Sequence, residues 1–64
     1  MTNHYAVINK DTGLLFAGFD NDQQPTWTKE ERLARSYNAK SDARGQALLF
    51  VSMGVKAQQT PVQL

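Results

Sequence analysis

The sequence predicts an α+β domain, a small antiparallel sheet of three strands packed on one C-terminal helix in the order ββ(β)α. The C-terminal tail is a candidate fourth strand. Three observations carry this reading. Ser41 to Gly54 is the longest apolar-periodic segment and is bounded by helix-type caps. Tyr5–Ile8 and the run from Leu14 to Phe19 are β-branched and aromatic, and a Gly-containing turn separates them. A chain of 64 residues without cysteine has room for one core only, and no disulfide or thiolate metal site can supplement it.

The helix, residues 41–53, is predicted to start at Ser41 as N-cap, with Asp42 complementing the positive end of the dipole. Gly54 stands where a left-handed residue ends a helix. Ala43, Ala47, Phe50 and Val51 follow the i, i+4, i+7, i+8 spacing of a buried stripe. At about 100° per residue, Leu48 and Leu49 fall on opposite flanks of that stripe, with Met53 beside Leu49. The apolar arc is wider than one small sheet needs: either the small domain wraps its helix deeply or leaves a leucine exposed, or one flank meets another protein chain or a second copy. Gly45 faces away from the stripe.

Residues 5–19 read as a hairpin, Gly13 supplying the positive φ of a short loop after Asp11 and Thr12. Both strands carry apolar residues on both faces, so their pattern does not choose the core face. Residues 20–28, opening Asp20-Asn-Asp22, read as a polar loop. Thr28 and Glu31 have capping-box spacing, which predicts a helical turn over Lys29–Arg32. The alternation of Leu33, Arg35 and Tyr37 then predicts the third strand at 33–38. Residues 55–64 read as a tail or edge strand, with Val62 and Leu64 on one side. The expected core is Phe16 or its neighbours, Val7, Leu33, Tyr37, Ala47, Phe50 and Val51.

Composition narrows the function classes. Seven Lys plus Arg against six Asp plus Glu leave a net charge of +1, neither strongly basic nor the acidic surplus of a DNA mimic. The start, Met-Thr-Asn-His-Tyr, has no basic region followed by an apolar one, and the longest apolar run, Ala47 to Val51, is too short for a membrane span. The expectation is a cytoplasmic protein. His4 alone cannot build a zinc site, and Asp20-Asn-Asp22 lacks the glycine and distal glutamate of a calcium loop. Asp11-Thr12-Gly13 shares its letters with an aspartic-protease motif, but between two apolar strands it reads as a turn. No enzyme, metal or cofactor is expected.

Two binding classes remain. Lys29, Arg32, Arg35, Lys40 and Arg44 form the densest basic stretch, and Trp27 and Tyr37 could stack on bases, which would suit a nucleic acid. Protein–protein interaction fits better: the apolar helix flank and a sheet edge are both suited to it. The candidate partner-binding residues are Leu48, Leu49, Met53, Trp27, Arg32 and Arg35.

The order Tyr5-Ala-Val-Ile8, a turn at Asp11-Thr12-Gly13, Trp27, Ala34-Arg35-Ser-Tyr37, then Ser41-Asp-Ala43 and an alanine–leucine helix resembles small uncharacterised bacteriophage and prophage accessory proteins. That resemblance implies a protein of the infected host cell that binds a host or phage protein and inhibits or redirects it. It carries over no site residue. The expected function is a small non-catalytic binding module, with a homodimer as one arrangement and steric occlusion as the mechanism.

Overall fold

Asn9 opens the first turn: its Oδ1 accepts the Asp11 N–H, and its carbonyl accepts the Gly13 N–H. Gly13 takes φ 75°, a left-handed value that glycine adopts without steric cost. The turn joins β1 (His4–Asn9) to β2 (Leu15–Phe19), and the chain continues through β3 (Pro25–Thr28), a 3₁₀ turn (Glu31–Leu33), α1 (Lys40–Ser52) and β4 (Ala57–Val62). This computed structural model describes residues 4–62. The four strands form one antiparallel sheet in the order β3-β2-β1-β4. The tail is therefore a full edge strand, in register with β1 from His4↔Val62 to Asn9↔Ala57. Leu64, expected on the same side as Val62, lies outside the described residues.

The third strand is Pro25–Thr28, not residues 33–38, and it occupies part of the segment expected to be loop. The physical reason lies in its residues. Thr26, Trp27 and Thr28 are good strand formers, and Pro25 sits at the first position of an edge strand, where its missing N–H interrupts no ladder. The polar loop shrinks to a hairpin connection. Asp20 Oδ1 accepts the N–H groups of Asp22 and Gln24, both at 2.9 Å, so this carboxylate is occupied with closing the loop.

A β-bulge at Ala17 brings Phe19 onto the same face of β2 as Phe16. Phe16 opposes Trp27 while Gly18 opposes Thr26, so one extra residue stands in β2. Without it Phe16 and Phe19 would point to opposite faces. With it, their rings meet edge-on at 5.1 Å, and Phe16 reaches Phe50 of α1 at 4.9 Å. Trp27 joins them, 5.8 Å from Phe16 and 5.4 Å from Phe50. Val7, Phe16, Ala47 and Phe50 form the buried centre under the helix, flanked by Trp27, Tyr37, Val55 and Ala57. The opposite face holds a smaller cluster of Ala6, Leu15 and Val62, flanked by Ile8 and Ala34.

β1 and β2 pair at Ile8↔Leu15 and then separate. The segment Ala34–Tyr37 fills the gap. Arg35 donates its N–H to the Phe16 carbonyl at 2.8 Å, and Tyr37 and Tyr5 exchange both backbone hydrogen bonds. Residues 33–38 thus enter the sheet as a one-bridge insert rather than a strand. Leu33 is no core residue: it ends the 3₁₀ turn and is 59% exposed. The turn overlaps the expected helical stretch, Lys29–Arg32, only at Glu31 and Arg32, and Thr28 does not cap it. Thr28 Oγ1 accepts the Glu30 N–H, and Glu30 is the N-cap.

The helix begins one residue early. Ala39 is its N-cap, because the Ala39 carbonyl accepts the N–H groups of Asp42 and Ala43, and Ser41 lies inside the first turn. The C-terminus closes as expected at Gly54, φ 90°, in a Schellman motif: Gly54 N–H to Val51 carbonyl and Val55 N–H to Phe50 carbonyl. Ala43, Ala47 and Phe50 are buried, but Val51 is half exposed. At about 100° per residue Val51 lies well off the stripe centred on Ala43, Ala47 and Phe50, and this small sheet does not reach around to it.

Candidate protein-binding surface

Helix packing leaves a large apolar area uncovered. Leu48, Leu49, Val51 and Met53 are 57%, 53%, 50% and 61% exposed, and Phe19 of β2 is 50% exposed. They do not form one patch. Leu48 stands with Lys40, Arg44 and Ala47 on the flank facing β4. Leu49 and Met53 lie on the other flank, on the side from which Phe50 meets Phe19 at 6.3 Å and Trp27 at 5.4 Å. The expected separation of Leu48 from Leu49 is what the fold contains. Exposed apolar side chains on both flanks of a short helix are the arrangement that association with another chain would cover.

The other candidates are placed differently. Trp27 is partly buried, its ring engaged by Phe16 and Phe50, so it supports the core. Arg32 Nε lies 3.1 Å from Glu30 Oε2, an exposed pair of little energetic weight that still offsets its charge. Arg35 is held through its backbone to β2, and a Cβ built on Gly18 would sit 3.5 Å from its Nη1. Tyr37 packs against the core cluster. Burial pushes its phenol above the ordinary value of 10.0, with the neighbouring Arg35 charge acting against that shift.

The basic stretch therefore divides. Arg32 and Arg35 stay with the turn beside β2 and β3, while Lys40 and Arg44, one helical turn apart, line a groove between α1 and β4. This groove has a volume of about 300 Å³ and is completed by Ala47, Leu48, Ala57, Gln58 and Gln59. Among the described residues neither Lys40 nor Arg44 makes an ion pair. The i, i+4 spacing of Lys40, Arg44 and Leu48 carried this face in the sequence. Its partner strand was not legible until β4 was placed.

Among the described residues no group of three or more His, Cys, Asp or Glu side chains converges as metal ligands would. No helix there is long and apolar enough to cross a membrane. A scan against protein-family models and searches of curated proteins and of solved structures find no match to this chain.

Proposed function

We propose that this chain is a small non-catalytic protein-binding module whose contact surface is the exposed apolar flank of α1. The observation that carries the reading is that Leu49 and Met53 are each more than half exposed on a helix whose Ala43, Ala47 and Phe50 stripe is already buried against the sheet. Covering what remains exposed of two such side chains is worth roughly half of the 1.5–3 kcal/mol that burying each one fully would bring, a contribution suited to a modest interface. Protein ranks above nucleic acid as partner because the rings of Trp27 and Tyr37 pack into the core. The resemblance to phage and prophage accessory proteins makes a bacterial host protein the partner class, bound in the host cytoplasm and inhibited by steric occlusion. A second copy of the chain is the competing occupant.

The test is affinity purification of the tagged protein from a bacterial lysate with and without added nuclease, with mass spectrometry and sedimentation of the pure chain. One stoichiometric protein partner, lost with Leu49→Lys while the variant stays folded by circular dichroism, is the expected result. Recovery of nucleic-acid-associated proteins alone, disappearing on nuclease treatment, would reverse the ranking. Unfolding of Leu49→Lys would make Leu49 a core residue and remove the surface.

A further inference from the structure

We infer that the groove between α1 and the β4 edge is a second binding site, which takes an extended acidic peptide segment as an added strand. It rests on the protein-binding reading but uses a different surface from Leu49 and Met53, so the two can fail separately.

The argument starts from ladder parity. Tyr5 spends both its backbone groups on Tyr37, and Lys10 donates to the Lys56 carbonyl at 2.7 Å. Hydrogen-bonded and non-hydrogen-bonded pairs alternate along an antiparallel ladder. Tyr5↔Pro61, Val7↔Gln59 and Asn9↔Ala57 are therefore the non-hydrogen-bonded pairs of β1 with β4. The backbone groups of Ala57, Gln59 and Pro61 consequently point away from β1, toward the open edge. No strand of the described residues pairs with that edge. Pro61 offers no N–H there, which closes the C-terminal end of the edge to a long ladder. The open stretch is Ala57 to Gln59.

That stretch coincides with the groove. Its two donors and two acceptors lie beside Lys40 and Arg44, with Ala47 and Leu48 as an apolar wall. Gln59 adds a buried side-chain oxygen that has no hydrogen-bond partner. Strand addition draws its affinity from main-chain bonds and its specificity from side-chain contacts. Here two cations without ion-pair partners select acidic side chains. A second copy is disfavoured, because edge-to-edge pairing through this stretch would bring Lys40 and Arg44 toward their own copies. A nucleic acid would find charge but no stacking ring among the groove residues.

The experiment is amide NMR titration of the full chain with an alternating Val-Glu octapeptide, an alternating Val-Lys octapeptide and a short single-stranded DNA as separate probes. The expected result is shifts confined to Lys40, Arg44 and Ala57–Gln59 with the acidic peptide, weakened at least about tenfold by combined Lys40→Glu and Arg44→Glu. Ala57→Pro should also abolish binding, since it removes an outward N–H without breaking a bond to β1. Leu49→Lys should leave the titration unchanged. Absence of shifts at millimolar peptide, equal binding of the Val-Lys peptide, preference for the DNA, or a dimer through β4 in the free chain would each overturn the inference.

Discussion

Tyr37 donates its N–H to the Tyr5 carbonyl at 2.7 Å and accepts the Tyr5 N–H at 2.9 Å, joining the chain's midpoint to its first strand. The bridge seals the gap where β1 and β2 separate. It also carries Ala34 to one face of the sheet and Tyr37 to the other.

Tyr37→Pro should therefore destabilise the fold by about 1–3 kcal/mol through the unsatisfied Tyr5 carbonyl alone. Urea unfolding measures it. The amides of Tyr5 and Tyr37 should exchange slowly with solvent in the native protein, and a Tyr5 amide exchanging as fast as in the unfolded chain would show the bridge to be absent.

Phe50 meets Phe16, Phe19 and Trp27 from the helix. Phe50→Ala should cost about 3–5 kcal/mol, comparable to the whole stability of a domain this small. The expected outcome is a chain unfolded at room temperature by circular dichroism. Leu33→Ser, at a position 59% exposed, should stay within about 0.5 kcal/mol of the parent.

The helix ends give a paired test. Ala39 caps α1 without a side-chain hydrogen bond, so Ala39→Ser should stabilise the protein by about 1 kcal/mol. Ser41→Ala should be near neutral, since Ser41 is not the cap. Gly54→Ala should destabilise by about 1 kcal/mol or more, because φ 90° strains a residue with a side chain even though the space is open. Thermal melts of the three variants would rank them, and a larger loss from Ser41→Ala than from Gly54→Ala would contradict the cap assignment.

Tyr37 fixes the alkaline behaviour. Its phenol titrates above 10.0 in the folded state because burial disfavours the phenolate. The unfolded chain therefore releases this proton first. The stability linked to the neutral phenol is fully present below the unfolded pKa and is lost as pH rises from there through the folded value. Ultraviolet titration of phenolate should show a late component that Tyr37→Phe removes, and that variant should lose less stability than the parent at high pH.

Local chemistry alone determined the β1–β2 hairpin, the Gly13 turn, the Gly54 stop and the Ala43, Ala47 and Phe50 stripe. Each depends on residues within a few positions of one another, as does the separation of Leu48 from Leu49 with Met53 beside the latter. Non-local pairing decided the rest. Pro25–Thr28 is a strand because β2 offers it an edge, and the alternating stretch 33–38 is an insert because β1 and β2 part where it arrives. The bulge at Ala17 sets the face on which Phe19 lies, which no period-of-two pattern foretells. Trp27 became a core ring when β3 placed it opposite Phe16. The groove of Lys40 and Arg44 exists only because the tail folds back beside β1, and sequence spacing carries no signal for a partner from the far end of the chain.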